Sequence, residues 1–192
     1  MRIAILSDIH DHLKILTAAL NVIHEEEIDA MIVCGDFCSP FVMNKLGNEF
    51  EGPIHAVFGN NDGDQFRLTK TAAKWPDRVH LYGEFGEFKI EGAKFALTHY
   101  PEIAEQVAAA GNFDVVCYGH DHQRKLSRFN TRGHEVVLIN PGTLMGHRFD
   151  QGNPVETPSS FAILDLEEDK EVTFWRIVFE DGRGWVAAEE EE

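Results

Sequence analysis

The sequence predicts an α/β fold in which two mixed β-sheets pack face to face with helices outside. Three observations predict it. Five short apolar runs each deliver Asp, Asn or His at their C-terminal end. Arg2–Leu6 precedes Ser7-Asp8-Ile9-His10, Ala30–Cys34 precedes Gly35-Asp36, and Ile54–Phe58 precedes Gly59-Asn60-Asn61-Asp62. Lys94–Leu97 precedes Thr98-His99, and Val115–Tyr118 precedes Gly119-His120-Asp121-His122. Stretches with helical spacing lie between the first of these runs. From Val79 strand-like runs begin to follow one another across short turns, and the last third is antiparallel in style.

Taken in order, the first strand is followed by a helix to about Glu27, with Leu13, Leu16, Leu20 and Ile23 facing the sheet. Pro40 opens a short helix to about Leu46, because its missing N–H is harmless at the first helical position. Gly52-Pro53 turns the chain into the third strand. Asp62 to Trp75 reads as a helix with Phe66 inward, ended by Pro76-Asp77. Val79–Tyr82, Glu84–Ile90 and Lys94–Leu97 read as strands, and Tyr100-Pro101 opens a helix from about Glu102 to Ala110. Gly111-Asn112 ends that helix. Lys125–Phe129, Glu135–Ile139, Phe161–Leu166 and Val172–Phe179 complete the strands, with turns at Asn130–Gly133 and Glu168-Asp169. Gln151–Pro158 carries two prolines and no pattern, and is predicted as a surface loop. One domain over residues 1–186 fits the 192-residue length, with 187–192 as an acidic, disordered tail.

The five run ends carry the chemistry. In an open α/β sheet the carboxyl ends of the strands line one crevice, where ligands bind. That placement brings together Asp8, His10, Asp36, Asn60, His99, His120 and His122. A lone Asp after a strand is ordinarily a turn or cap residue; five coordinated tips are not. Four imidazoles, two carboxylates and one amide oxygen exceed what one ion needs, and two ions sharing one carboxylate would use them all. Imidazole suits Zn, Cu, Fe and Ni, and oxygen ligands bring Mn and Mg into range. Two ions about 3.5–4 Å apart clamp the attacking and leaving oxygens of an in-line phosphoryl displacement.

Composition removes other classes. The formal charge is −16, from 33 acidic and 17 basic residues. This argues against a broad nucleic-acid-binding face, though not against a small nucleotide held by ions. No signal peptide is visible, and no apolar run approaches membrane-spanning length. Cys34 and Cys117 lie within apolar runs; Cys38 follows Asp36 closely and offers a place near the metals or a loop thiol with no role, the second favoured; an odd count without a secretory signal is expected of a reducing cytoplasm. His55 and His80 sit within strands, where packing explains them better than ligation, and His24 lies among acidic residues on an exposed face. His12 offers a substrate contact, a helix cap or a solvated ring. Arg148 offers a phosphate contact or an ordinary surface cation.

In order along the chain, Asp8-x-His10, Gly35-Asp36, Gly59-Asn60-x-Asp62, Thr98-His99 and Gly119-His120-x-His122 resemble the motif series of calcineurin-like metallophosphoesterases. The short length and Asn140-Pro141-Gly142-Thr143 are similar to the small single-domain branch of YfcE-type phosphodiesterases, which also includes the metallophosphoesterase-fold subunit of retromer. The resemblance implies a four-layer αββα sandwich. It assigns Asp8, His10, Asp36 and His122 to one ion and Asp36, Asn60, His99 and His120 to the other, with Asp36 bridging. It implies two divalent transition-metal ions, manganese first, then nickel, iron or zinc. It implies a metal-dependent hydrolase in which a hydroxide held between the ions attacks a phosphodiester. Most of the superfamily has His at the position of Asn61, supported by the following acidic residue, here Asp62. The catalytic residues carried over are therefore Asp36, Asn61 and Asp62. Asn donates a hydrogen bond but cannot act as a general acid at neutral pH, which favours diesters with good leaving groups. The expected partner is a small phosphodiester, with no long nucleic acid and no membrane, and a homo-oligomer is compatible. The alternative function is a protein-interaction scaffold on the same fold.

Overall fold

The structure is a computed structural model and describes residues 1–131 and 133–189. In chain order the first half runs β1 (Arg2–Leu6), α1 (Leu13–Glu25), β2 (Ala30–Val33), α2 (Pro40–Glu49), β3 (Ile54–Ala56), α3 (Gln65–Ala72) and β4 (Val79–Leu81). Next come β5 (Phe85–Ile90), β6 (Ala93–Thr98), α4 (Pro101–Ala110), β7 (Val115–Cys117), β8 (Arg124–Thr131) and β9 (His134–Pro141). The remainder is β10 (His147–Asp150), β11 (Asn153–Glu156), β12 (Ser159–Asp165), β13 (Glu171–Glu180) and β14 (Gly184–Glu189).

Two sheets and a separate hairpin result. A seven-stranded sheet has the order β14-β13-β12-β1-β2-β3-β4, and a five-stranded sheet the order β5-β6-β7-β9-β8. Strands β1 to β4 pair in parallel, as do β6, β7 and β9. The parallel strands are the ones whose C-terminal ends carry the candidate ligands. Strands β10 and β11 form a two-stranded ribbon on their own.

Period-two alternation sorts side chains into layers. Ile3, Ile5, Ala30 and Ile32 point towards Phe95, Leu97, Val115, Val137 and Ile139 of the other sheet. Ala4, Leu6, Met31 and Val33 point the opposite way, onto Leu16, Leu20, Ile23, Met43 and Leu68 of α1, α2 and α3. On the far face of the five-stranded sheet, Ala96, Val116 and Leu138 meet Ala104 and Ala108 of α4. Parallel strands buried on both faces read as continuous apolar runs, which is why β1, β2 and β7 are so plain in the sequence. The architecture is the predicted four-layer αββα sandwich.

Several expectations need correction. Leu13 is 41% exposed, although Leu16, Leu20 and Ile23 are buried. It shares the angular position of Leu20 but is the first helical residue, where less of the fold covers it. Helix α3 begins at Gln65 rather than Asp62, capped by the Asp64 side chain accepting from Arg67 N–H at 3.1 Å. That start directs Leu68 and Ala72 inward and leaves Phe66 70% exposed, with Lys70 Nζ 4.7 Å from its ring centre. The segment expected as a loop at 151–158 contains β11, whose Pro154 stands opposite Phe149 of β10. Both strands of a two-stranded ribbon are edges, so the missing N–H costs little there. The turn expected at Asn130–Gly133 is tighter, since Asn130 pairs with Glu135 and Thr131 with His134; Arg132 lies outside the described residues. Finally, Ala187 to Glu189 belong to β14 and not to a tail. Trp185 and Ala187 pack on the helix-side core, and Ala187 pairs with Ile177 of β13. Residues 190–192 lie outside the described residues.

Candidate metal centre

The strand ends of both sheets open into one cleft. β1, β2 and β3 deliver Asp8, His10, Asp36 and Asn60 from one sheet; β6 and β7 deliver His99, His120 and His122 from the other. The backbone turns sharply at these ends. Asp8, His10, Asp36, His120 and His122 all have positive φ, between 44° and 76°. A non-glycine residue there is disfavoured by about 1 kcal/mol or more. Five such residues at one place mark a site where side-chain direction outweighs backbone comfort. Glycines make the close approach possible. A Cβ on Gly59 would collide with the Asp36 carboxylate, and one on Gly119 with Ser7 Oγ and Asp8 Oδ2.

The polar atoms fall into two sets. In the first, His10 Nε2 and His122 Nε2 are 3.3 Å apart, and His122 Nε2 is 3.2 Å from Asp8 Oδ1. His10 Nε2 is 3.4 Å from Asp36 Oδ2 and 3.8 Å from Asp8 Oδ1. In the second, Asn60 Oδ1 is 3.0 Å from His99 Nε2 and 2.8 Å from His120 Nδ1. His99 Nε2 is 3.5 Å from Asp36 Oδ2. Ligands about 2.0–2.1 Å from a shared ion at tetrahedral angles stand roughly 3.3–3.4 Å from each other. Both sets have edges of that size, and Asp36 Oδ2 is a corner of each.

The residues fit a divalent cation by an independent criterion. Asp8 Oδ1 is buried and, among the described residues, has no hydrogen-bond partner. A buried carboxylate oxygen left this way is costly unless a cation faces it. Burial opposes ionisation of Asp8, yet the His10 and His122 imidazoles hold its carboxyl well below the usual carboxylate range. Burial likewise opposes the charge on Asp36, where His99 and Asn61 override it and bring the pKa down. Asp8 with His10 and His122, and Asp8 with Asp36 and His99, each form a cluster that could hold an ion.

A second layer of hydrogen bonds aims these ligands. His99 Nδ1–H donates to Cys34 O at 2.7 Å, and His122 Nδ1–H donates to His147 O. In the neutral ring each bond keeps the proton on Nδ1 and leaves Nε2 as the lone pair an ion would take, whereas protonated at Nε2 the same rings are what lower the carboxyls. Asn61 clamps Asp36: its backbone N–H donates to Oδ1 at 2.8 Å and its Nδ2 to Oδ2 at 2.7 Å. Asp62 does not orient Asn61. Its carboxylate, 3% exposed, accepts from the backbone N–H groups of Asp36, Cys38 and Gly59 at 2.9, 2.8 and 2.7 Å. Burial pushes that carboxyl up against the pull of those donors. Asn140 and Thr143 tie the last motif to the site. Asn140 Nδ2 donates to Asp121 Oδ1 at 2.6 Å, and Thr143 Oγ1 donates to Asp8 O at 2.9 Å.

All seven sequence-predicted ligands meet in this cleft, and Asn61 lies beside them. Among the residues lining a cavity of about 350 Å³ over the centre are His10, Asn61, His120, Gln123 and Phe149. Phe149, 59% exposed on β10, was missed because it lies between the Asn140–Thr143 motif and the loop expected at 151–158, where no element was assigned. Of the residues with open readings, Cys38 approaches the centre, its Sγ 3.4 Å from His10 Nδ1. Burial and the surrounding acids push its thiol up to about 12. His12 makes no side-chain cap and meets Trp185 edge-on at 5.9 Å. His55 stacks on Phe88 at 4.0 Å and lies 5.1 Å from His80, so both are packing residues. No helix among the described residues is long and apolar enough to cross a membrane.

Comparison with known proteins agrees with this geometry. The model of the calcineurin-like phosphoesterase superfamily domain matches residues 1–169. A phosphodiesterase of Methanocaldococcus jannaschii is 35% identical over 149 residues, covering 77% of this chain and 86% of that protein. The solved structure of an archaeal phosphodiesterase superposes with a TM-score of 0.76 at 32% identity, covering 91% of this chain and 98% of the other. Vps29 of Entamoeba histolytica shares the fold across the whole of both chains, with a TM-score of 0.63 at 20% identity. A chain with this sandwich and this convergence of metal-ligating side chains, matched over most of its length, belongs to the calcineurin-like phosphoesterase superfamily.

Proposed function

We infer that the chain is a phosphodiesterase working with two divalent transition-metal ions, manganese in the first instance, on a small diester. The observation that carries this reading is the placement of one oxygen, Asp36 Oδ2. It stands 3.4 Å from His10 Nε2 and 3.5 Å from His99 Nε2, at the junction of both ligand sets. The first ion would be held by Asp8, His10, Asp36 and His122, the second by Asp36, Asn60, His99 and His120. Bound there, such ions lower the pKa of water towards neutrality and offset charge on the phosphate oxygens.

The protein's own groups set the rest. The αL turns and Asn61 hold Asp36 in place before substrate arrives, so no reorganisation of that carboxylate is needed during the reaction. Asn61 is a hydrogen-bond donor and cannot supply a proton to a departing alkoxide. A positioned general acid is typically worth about 10²–10⁴-fold. Without one at this position, leaving groups that depart as stable anions are favoured, and a diester brings one charge fewer than a monoester into an acidic protein.

The test is turnover of bis-p-nitrophenyl phosphate and of p-nitrophenyl phosphate with Mn, Ni, Mg or Zn. The diester should be preferred, chelation should abolish its hydrolysis, and His120→Ala and His122→Ala should each lower kcat/KM by about 100-fold or more. Turnover indifferent to chelator would overturn the metal-dependent reading. Metal bound tightly with no diester hydrolysed would favour the scaffold alternative.

A further inference from the structure

Beside the metal cleft lies a second cavity of about 430 Å³, lined in part by His122, Arg124, Lys125, Arg148 and Phe174. Three of its lining residues are cations, and none is a carboxylate. That is unusual in a chain with 33 acidic and 17 basic residues. Lys125 Nζ pairs with Glu105 at 3.0 Å, and the Arg124 guanidinium stands 5.8 Å from the Phe174 ring. Arg148 is half-buried and, among the described residues, its side chain makes no hydrogen bond or ion pair. A half-buried guanidinium offers five donors in a planar fork suited to phosphate.

The two cavities are neighbours, since His122 and Gln123 line both. The β10–β11 ribbon stands between them. Successive strand residues point to opposite faces, so Phe149 lines the metal cleft while Arg148 lines the cationic cavity. We propose that the cationic cavity of Arg124, Lys125 and Arg148 binds a second phosphate of the substrate. The preferred substrate is then a phosphodiester that carries a further phosphate group beyond the scissile one. This rests on the phosphodiesterase reading for the first phosphate's place at the metals, and adds the specificity for the second.

The test is binding, which needs no turnover. Thymidine 3′,5′-bisphosphate and thymidine 5′-monophosphate are titrated by calorimetry into the Mn-loaded full chain. The bisphosphate is expected to bind on the order of tenfold more tightly. Arg148→Gln should bring the two dissociation constants together. Lys89→Gln removes one charge from β5, at the opposite sheet edge from β8, and should leave the ratio intact. Equal affinities in the wild type, or a ratio that survives Arg148→Gln, overturns the proposal, as does a ratio lost equally in Lys89→Gln. Preferential bisphosphate binding with no diester hydrolysed overturns the phosphodiesterase reading alone. Brisk diester hydrolysis with equal binding overturns the second-phosphate site alone.

Discussion

Asp36 and Asp62 are both acids of one loop cluster with opposite tasks. Asp36 presents Oδ2 to two ring nitrogens, while Asp62 spends its carboxylate on three backbone N–H groups beneath it. Hydrogen bonds to a charged acceptor are worth about 1.5–3 kcal/mol each, with strong non-additivity. Asp62→Ala should therefore destabilise the fold by about 2–4 kcal/mol and weaken metal binding without removing a ligand. Denaturant unfolding read beside metal titration checks both effects. A variant as stable as the wild type would show that the three bonds contribute little. Asn61→His tests the missing acid. It removes the Nδ2 clamp on Asp36 and adds a titratable ring, but Asp62 is already committed and cannot orient it. The expected gain in monoesterase relative to diesterase kcat/KM is about tenfold, below the full benefit of a positioned acid. An unchanged ratio in a folded, metallated variant would show that Asn61 does not set the substrate class.

At the scale of elements, the site depends on strand ends that turn through αL and on a small ribbon that closes one side. The ligand residues were legible in the sequence because each follows a run buried on both faces, and such runs are hard to mistake. Their αL geometry was not, since an Asp after a strand reads as a turn or cap without fixing which backbone conformation it takes. The second layer was hidden for another reason: Asn61 and Asp62 find partners 25 and 26 residues away, at Asp36. The β10–β11 ribbon escaped notice because Pro154 and the polar residues around it match a loop. Strand β14 escaped because its alternation is short and runs into acids. The ribbon supplies Phe149, whose exposed ring faces the cleft. Phe149→Ala should raise KM for bis-p-nitrophenyl phosphate about three- to tenfold with kcat largely kept, as expected for loss of an aromatic contact worth about 1 kcal/mol. A fall in kcat at constant KM would place the ring in the reaction itself.

For the whole molecule, the candidate ligand cluster and buried His55 set how stability responds to conditions. Ions that bind only the folded chain stabilise it by mass action. At a hundredfold excess over Kd each site adds about 2.7 kcal/mol, so chelation should lower Tm by about 5–10 °C per site. His55 adds a pH dependence away from the candidate metal centre. Burial first, and neighbouring His80 second, push its imidazole down to about 4. The unfolded side chain takes up its proton near 6.5. Between those values the unfolded state holds more protons, so this contribution is fully present above about pH 6.5 and is lost as pH falls towards 4. It amounts to on the order of 3 kcal/mol at most. Unfolding curves for His55→Phe should show a shallower acid limb over that window. The centre itself is tested most directly by counting manganese per chain, by elemental analysis after removal of loosely bound metal, in the wild type and in Asp36→Asn. The shared corner at Asp36 Oδ2 predicts two ions per wild-type chain and depletion of both sites in the variant. One ion per wild-type chain, or full occupancy in Asp36→Asn, would contradict it.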